Sequence, residues 1–472
     1  MKQILYKTGL FLILLFISIV NYAQSVVISG TAENYKKEVI NLYVYEDFIS
    51  FNEKLIASST IDNTGNFKIT ANIPATHKAF LRIDNIAAYF YIENGKTYQV
   101  NFPGLEQGKE IAGNINFVKL EFTNKDSKEL NSLIAVFNKK YDDFIEENYS
   151  LIIRKAARTK INEFILKTKK EYNNVSDPFL KNYINYSIAS LEQLSFTSKN
   201  KLYKQYLHNK PVLHDNPEYF HFISEFYLNH LHTLSLSKNG AEISNLINNS
   251  KDYPGLIKVL QKDTLLQHSE LSELVLILGL KEIYNNEDFN KKSINYILKS
   301  ISEKSAFSGN QKVANQVLYS LTRFDAGKTA PDFELFDQNG NKVSLKQFRG
   351  NYVYLSFMAN WCNSCLQEQR LMATLNNKYG KDIVFISIST DKKQSDFVNY
   401  IKKNNYPWTF LHYGAYKKVL EDYQARALPT YFFISPEGLF IEAPAQSPIG
   451  NIEKSFHDAT VVPVKKHKMG EK

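Results

Sequence analysis

The sequence predicts a multidomain chain with a small β-sandwich, then an all-α helical region, then an α/β domain built on a central sheet. Apolar residues alternate with a period of two in residues 25–103, and they recur with a period near 3.6 in residues 124–325. Strand-like and helix-like stretches alternate from residue 327 onward. The chain has 472 residues, which is too long for one hydrophobic core.

The first 23 residues have the composition of a secretory signal peptide. Lys2 and Lys7 precede an apolar run at residues 9–20, and the small residue Ala23 ends the segment. This run is shorter than the ~18–20 residues that span a bilayer, which favours an exported chain over a membrane-tethered one. We expect cleavage after Ala23 or after Gln24, and a mature protein in a Gram-negative periplasm.

The charge of the chain argues against a nucleic-acid partner. The formal net charge is +9, but Lys2, Lys7 and the predicted basic tail of residues 461–472 supply much of it. The remainder is too small for a nucleic-acid surface. The 30 Tyr and 32 Phe residues accompany many Asn, Ile and Lys residues, so we attribute them to genomic base composition rather than to base stacking.

Residues 24–122 form the predicted β-rich domain. Alternating stretches such as residues 40–45 and 88–92 are separated by Asn, Gly and Asp turns, and residues 62–66 have the composition of a hairpin turn. No group of catalytic residue types converges in this part of the sequence. We therefore expect a binding or dimerisation module.

Residues 123–325 form the predicted helical region. Capping residues stand directly before prolines at residues 177–178 and 216–217, which is typical of helix starts. Six histidines fall in this part of the chain, and five of them lie close together in the sequence: His208, His214, His221, His230 and His232. None has the i, i+4 spacing of a helical zinc site, so we predict no metal site here.

The two cysteines, Cys362 and Cys365, are the residues that point to chemistry. They lie between a strand-like run at residues 352–357 and a helical stretch at residues 366–379. The first thiol is therefore at a helix N-terminus, where unpaired N–H groups and the macrodipole stabilise a thiolate. Cys365 lies one turn further on, within disulfide reach. A redox-active disulfide that needs no further cofactor is the favoured interpretation.

Two other uses of this Cys-x-x-Cys pair stay open. A zinc ribbon would need a second cysteine pair, and the last domain offers only His412, His457 and His467 as further soft ligands. A purely structural disulfide would stabilise the fold little, because closing so short a loop removes little entropy from the unfolded chain.

A proline also enters a strand-like run at residues 427–434, where a cis bond would explain its presence. Together with residues 361–365, Trp-Cys-Asn-Ser-Cys, the Leu-Pro-Thr sequence at residues 428–430 resembles the thioredoxin fold. Residues 327–333, a predicted hairpin at residues 338–341 and a glutamate three residues after the second cysteine resemble the exported TlpA- and ResA-like thiol-disulfide oxidoreductases. The resemblance covers the predicted domain of residues 326–460.

This resemblance implies roles for individual residues. Cys362 would be the exposed nucleophile, and Cys365 would be the buried thiol that pairs with it in a disulfide. Pro429 would be cis and pack against the disulfide, which leaves the backbone of Leu428 free to pair with an extended substrate. Glu368 would act as acid or base for the second thiol.

Trp361, Leu428 and Thr430 are the predicted substrate-binding residues. Ser356 occupies the strand position at which cytoplasmic thioredoxins carry an acidic residue, which leaves Glu368 as the candidate proton carrier. An exposed helix carboxylate is the alternative interpretation of Glu368.

The resemblance implies an exported enzyme that reduces protein disulfides and draws electrons from a membrane donor. The Asn363-Ser364 pair lacks a histidine, which slightly favours a reductase, while Arg370 stands where the family often has proline. An isomerase, an oxidase or a non-catalytic binding module stays open, and a homodimer through the β-rich domain would suit an isomerase. Ala359 replaces the threonine of peroxiredoxins, which argues against a peroxidase.

Overall fold

The computed structural model describes residues 25–105, 115–124, 126–237, 240–414 and 418–461. The predicted signal of residues 1–23 and residues 462–472 of the predicted tail lie outside these ranges. No helix in the described ranges combines the length and the apolar character needed to cross a bilayer.

The β-rich part contains two sheets that enclose one hydrophobic core. Its strands are β1 (Val26–Thr31), β2 (Val39–Tyr45), β3 (Glu53–Thr60), β4 (Asn66–Ala71), β5 (His77–Ile83), β6 (Ile86–Ile92), β7 (Thr97–Asn101), β8 (Asn116–Phe117) and β9 (Glu121–Phe122). One sheet has the order β4-β1-β7-β9 and the other has the order β3-β2-β5-β6-β8. Alternate side chains of both sheets point inward, as the period of two predicts.

The predicted turn at residues 62–66 forms, but it does not close a hairpin. The Asp62 carboxylate accepts hydrogen bonds from the N–H groups of Thr64 at 2.8 Å and Asn66 at 2.9 Å. Strand β3 nevertheless pairs with β2, whereas β4 pairs with β1 in the other sheet. The hairpin prediction is therefore wrong, because turn chemistry is local and does not determine which strands pair.

The middle of the chain is helical. Its helices are α1 (Leu130–Ile153), α2 (Arg158–Glu171), α3 (Pro178–Leu194), α4 (Lys199–Leu202), α5 (Pro217–Phe226), α6 (His230–Ser235), α7 (Gly240–Asn245), α8 (Tyr253–Leu260), α9 (Ser269–Glu282), α10 (Lys291–Lys304) and α11 (Ser308–Thr322), with π-helical turns at Tyr203–Leu207 and Leu246–Ser250. The predicted caps are confirmed, since Asp177 accepts a hydrogen bond from Leu180 N–H and Asn216 accepts one from Tyr219 N–H.

The loop between β2 and β3 joins the sheets to the helices. Phe48 and Ile49 from this loop are buried in the same core as the helical side chains. The Phe48 ring lies 5.7 Å from the Phe220 ring of α5, and the Asn52 amide donates to the backbone oxygen of Gln316 in α11 at 2.9 Å. The β-rich and helical parts are thus packed together.

The last part of the chain is an α/β domain, as predicted. Its elements are β10 (Glu334–Asp337), β11 (Lys342–Ser344), β12 (Tyr352–Met358), α12 (Asn363–Tyr379), β13 (Ile383–Ser389), α13 (Gln394–Asn404), β14 (Thr409–His412), α14 (Lys418–Asp422), β15 (Thr430–Ile434), β16 (Phe440–Glu442) and α15 (Ile452–Val461). The seven-stranded sheet has the order β11-β10-β14-β13-β12-β15-β16. The central strands β12, β13 and β14 are parallel, and β15 and β16 are antiparallel to their neighbours.

Strand β12 sits between two hydrophobic cores. Leu355 and Phe357 point to one core, while Tyr354 points to the other core, in which α12, α13 and α15 contribute side chains. On β15, Tyr431 points to the same helix-covered side as Tyr354. The strand that leads to the first cysteine is therefore held on both faces, as expected for a buried parallel strand.

A buried cation joins the β-rich part to the α/β domain. The Arg82 guanidinium on β5 is 3% exposed and lies 2.7 Å from Glu53 and 2.5 Å from Glu421 of α14. It also stacks 4.1 Å above the Tyr43 ring, whose hydroxyl donates to Glu421. Because both carboxylates and the ring pair the charge, its burial is compatible with a stable interface.

Candidate active site

The cysteines lie where β12 ends and α12 begins. Cys362 is the N-cap of α12, and its sulfur accepts a hydrogen bond from the Cys365 N–H at 3.2 Å. The two sulfur atoms form a disulfide with an S–S distance of 2.16 Å. The hydroxyl oxygen of Ser364 lies 3.3 Å from the Cys362 sulfur. The first sulfur therefore has two potential donors at a helix N-terminus.

The two sulfurs differ in their access to solvent. Cys362 is 7% exposed and Cys365 is 0% exposed, so only the first can meet a large substrate. Trp361, directly before the disulfide, is 53% exposed. Both cysteines belong to a small apolar cluster with Met358, Ala359, Leu366, Tyr400 and Leu428. The disulfide is thus set in an apolar environment with one open edge.

The proline loop meets the disulfide. The Leu428–Pro429 peptide bond is cis, in agreement with the resemblance, and Leu428 packs against the cluster that contains both cysteines. Thr430 begins β15 and pairs with Phe357 at the end of β12. The two predicted motifs, far apart in the sequence, therefore come together at one end of the sheet.

Glu368 is buried on the second turn of α12. Its side chain is on the sheet-facing side of the helix together with Cys365 and Met372, and the residue is 7% exposed. Among the residues that the structure describes, none forms a hydrogen bond with its Oε2 atom. The alternative of an exposed helix carboxylate is therefore wrong for Glu368.

Tyr431 is a neighbour of Glu368 that the sequence analysis did not select. Burial raises the pKa of the Tyr431 hydroxyl, and the negative Glu368 carboxylate beside it raises that pKa further. This hydroxyl is also buried without a hydrogen-bond partner in the described part of the chain. The sequence carried one usable signal, since Tyr431 is a polar tip in an otherwise apolar run two residues after Pro429.

Asp391 is a second residue that the sequence analysis did not select. Its carboxylate accepts hydrogen bonds from Asn360 N–H at 3.0 Å and from the Ser389 hydroxyl at 2.7 Å. The His412 ring donates from Nε2 to the Asp391 backbone oxygen at 2.6 Å. Burial raises the pKa of Asp391, although its hydrogen bonds and His412 partly oppose this effect. Asp391 thereby anchors the loop directly before Trp361.

Ser356 takes part in a buried network of neutral polar groups. Its hydroxyl donates to the Ser387 hydroxyl at 2.9 Å, and the Trp408 indole N–H donates to the same oxygen at 3.0 Å. The Gln369 side chain lies 3.2 Å from Ser387. Neutral groups therefore occupy the position at which cytoplasmic thioredoxins carry a carboxylate, as the sequence indicated.

Two of the helical histidines pair with single polar side chains. His230 pairs with Asp263 at 2.9 Å, and His232 pairs with Asn286 at 3.3 Å. Within the ranges covered by the structure, no three His, Cys, Asp or Glu side chains are arranged to hold a metal ion.

Comparison with known proteins places this site in a family. The profile of the AhpC/TSA family matches residues 326–442. Thiol-disulfide oxidoreductase ResA of Bacillus thuringiensis is 31% identical over 123 residues, which are 25% of this chain and 69% of ResA. ResA of Bacillus subtilis is 27% identical over 133 residues, which are 28% of this chain and 73% of that protein.

Among solved structures, the thiol-disulfide oxidoreductase of Bacteroides fragilis is 27% identical, with a TM-score of 0.25. That match covers 27% of this chain and 98% of the other one. The Cys-x-x-Cys disulfide and the cis-proline loop lie inside the region matched by the family profile. The chain therefore belongs to the TlpA/ResA-like family and is a thiol-disulfide oxidoreductase with a thioredoxin-like C-terminal domain.

Proposed function

We propose that this enzyme is an exported reductase of protein disulfides, with Cys362 as nucleophile and Cys365 as resolving thiol. The observation that carries the proposal is the asymmetry of the pair. Cys362 caps α12 and keeps 7% of its surface exposed, whereas Cys365 is 0% exposed. Helix N–H groups stabilise an anionic sulfur at the first position, and burial protects the second from direct attack.

In the reduced enzyme the Cys362 thiolate attacks one sulfur of a client disulfide, and the other client sulfur leaves as a thiolate. Cys365 then passes its proton to the Glu368 carboxylate and attacks the Cys362 sulfur. The second client thiolate leaves, and the disulfide seen in this structure is formed. Two electrons have passed to the client, so a dithiol donor must reduce the enzyme before the next cycle.

The residues around the open edge of the disulfide suit an extended polypeptide. The exposed Trp361 ring offers an apolar surface beside the nucleophile. Leu428 precedes the cis bond to Pro429 and packs against the disulfide cluster, which supports a role of its backbone in pairing with a client strand. Thr430 continues this edge. We assign these residues to client binding.

We also propose how the rest of the chain is organised around this domain. Residues 1–23 act as an export signal to the periplasm, and a membrane protein supplies electrons to the domain of residues 326–460. Residues 24–122 form a β-sandwich module, and residues 123–325 form a helical module. We assign any homodimer contact to the β-rich module, and sedimentation of the mature protein tests whether a dimer forms.

The reduction potential of the Cys362/Cys365 couple tests the direction of electron flow. It is measured in dithiothreitol and glutathione buffers with Trp361 fluorescence, and the Trp361→Phe variant identifies the contribution of the second tryptophan, Trp408. A value near about −250 mV or below supports a reductase. A value between about −120 and −180 mV contradicts it and favours an oxidase or isomerase.

Trapping of the client intermediate tests the roles of the cysteines. The Cys365→Ser variant should accumulate a mixed disulfide through Cys362, because the resolving thiol is absent. The Cys362→Ser variant is the matched control and should form none. Equal trapping by both variants would contradict the assigned order of attack, and a cellular role that survives Cys362→Ser would favour a binding module.

A further inference from the structure

Glu368 and Tyr431 carry buried polar atoms without hydrogen-bond partners in the described structure. The Oε2 atom of Glu368 and the hydroxyl of Tyr431 are both inaccessible to solvent and unpaired. A buried polar group without a partner costs stability, usually about 1–3 kcal/mol. Two such groups side by side, next to a reactive sulfur, are therefore unexpected in a region selected only for stability.

The packing of α12 against the sheet places Glu368 and Tyr431 in the same layer between the helix and the strands. Cys365, Glu368 and Met372 follow one another at helical spacing on the buried side of α12. Met372 packs in one hydrophobic cluster with Tyr354 of β12 and Tyr431 of β15. Glu368, one turn before Met372, thus points toward the tyrosine pair, and its negative charge acts on the hydroxyls of both tyrosines.

Only one of the two tyrosine hydroxyls is available to Glu368. The rings of Tyr354 and Tyr431 are stacked, with centroids 5.3 Å apart and planes 8° from parallel. The Tyr354 hydroxyl donates to the Gln446 backbone oxygen at 2.8 Å. The other charged group that acts on Tyr354 is Glu442 of β16, which accepts a hydrogen bond from the Ser455 hydroxyl. The Tyr431 hydroxyl is left as the donor that faces Glu368.

We infer that Tyr431 is the positioning residue of Glu368: its hydroxyl donates a hydrogen bond to the ionised carboxylate while that carboxylate awaits the Cys365 proton. This inference rests on the proposed role of Glu368 in the resolving step. The hydrogen bond stabilises the charged form of the carboxylate. It also holds the carboxylate on the side of α12 that carries Cys365. Tyr431 itself exchanges no proton with the substrate.

The resolving step can be observed by itself with a chromogenic aromatic disulfide. The reduced full-length protein reacts at Cys362 and releases one coloured thiolate, and the attack of Cys365 then releases a second. The second release is intramolecular, so its rate does not depend on reagent concentration. We would measure this rate across pH by stopped-flow absorbance for the wild type, Tyr431→Phe, Tyr354→Phe, Glu368→Gln and the double variant Tyr431→Phe/Glu368→Gln.

The Tyr431→Phe variant should move the midpoint of the pH profile upward by about one unit, because it lacks the hydroxyl that would donate a hydrogen bond to the charged carboxylate. On the acid side the second release should be about tenfold slower. Tyr354→Phe removes the hydroxyl of the stacked ring, which donates to the Gln446 backbone oxygen, and should leave the midpoint in place. In the Glu368→Gln background, Tyr431→Phe should cause no further shift.

Two results would overturn the inference while leaving the proposed function intact. The first is a Tyr431→Phe profile that coincides with that of Tyr354→Phe, since the ring alone would then matter. The second is a Tyr431→Phe shift that persists in the Glu368→Gln background. If the wild type releases no second thiolate, the proposed order of cysteine attack fails, and the role of Tyr431 fails with it.

Discussion

Two buried glutamates show how differently the helical region and the α/β domain treat the same chemical group. Glu192 of α3 is 5% exposed and accepts hydrogen bonds from Gln205 at 3.2 Å and from the Tyr206 hydroxyl at 2.8 Å. Lys201 lies 3.5 Å from its other oxygen. Glu368 of α12 is 7% exposed, yet its Oε2 atom is unpaired within the described structure.

This difference distinguishes a glutamate that stabilises the fold, Glu192, from one that we assign to the reaction, Glu368. Buried carboxylates that serve only the fold are hydrogen-bonded by donors, as Glu192 is by Gln205 and the Tyr206 hydroxyl. Beside the disulfide, Tyr431 faces Glu368, but neither its hydroxyl nor the Oε2 atom of Glu368 has a hydrogen-bond partner in the described, oxidised structure. Such departures from local satisfaction are expected at functional sites, where a group must change its protonation during the reaction.

The largest expected effect comes from replacing each glutamate by the isosteric amide. Glu192→Gln weakens charge-assisted hydrogen bonds and should lower the free energy of unfolding by about 2 kcal/mol. The Oε2 atom of Glu368 has no hydrogen-bond partner in the described structure, so Glu368→Gln should change the free energy of unfolding by less than about 1 kcal/mol. Chemical denaturation of the oxidised full-length protein, followed by circular dichroism, measures both.

The exposed Glu163→Gln on α2 is the matched control for these two variants, because a surface glutamate should change stability by less than about 0.5 kcal/mol. A loss at Glu368→Gln as large as that at Glu192→Gln would show that the two carboxylates are equally well paired in solution. The contrast between the two regions would then disappear.

A smaller effect should separate the two tyrosines that accompany these glutamates. Tyr206→Phe removes a hydroxyl that donates to Glu192 and should lower the free energy of unfolding by about 1.5 kcal/mol. In the oxidised protein, Tyr431→Phe removes a hydroxyl that has no hydrogen-bond partner in the described structure, so the change should be neutral or slightly stabilising in that form. Thermal unfolding of the two variants side by side checks this, and destabilisation by Tyr431→Phe equal to that by Tyr206→Phe would contradict it.

The smallest effect concerns acid stability and compares two aspartates. The hydrogen bond from His230 lowers the pKa of Asp263 below its ordinary value of 3.8, so the stability that Asp263 contributes is present above that value and is lost as pH falls through the lowered pKa. Burial raises the pKa of Asp391, so its contribution has the opposite sign and favours the fold as pH falls.

Asp263→Asn should therefore flatten the loss of stability in acid, whereas Asp391→Asn should steepen it. Denaturation midpoints measured between pH of about 2 and about 6 report both slopes. The exposed Asp458→Asn serves as the control and should leave the slope unchanged. Parallel slopes for Asp263→Asn and Asp391→Asn would show that the two aspartates are not in opposite environments.

Much of the site could be predicted from the sequence because its elements are specified locally. A strand-like run followed by Cys-x-x-Cys and a helical stretch predicted the N-cap position of Cys362, and the structure has it. The antiparallel pair β10 and β11 flanks the predicted hairpin turn at residues 338–341. The turn at residues 62–66 formed as well, but its strands pair in different sheets, since pairing is decided by distant partners.

The sequence by itself determined the domain class of the last part of the chain, the placement of both cysteines and the helix caps, because each depends on residues within one or two turns. Only the tertiary structure decided that Tyr431 faces Glu368, that Asp391 anchors the loop before Trp361, and that Arg82 joins two parts of the chain. These contacts connect strands and helices far apart in the sequence, and no local pattern encodes which of them become neighbours.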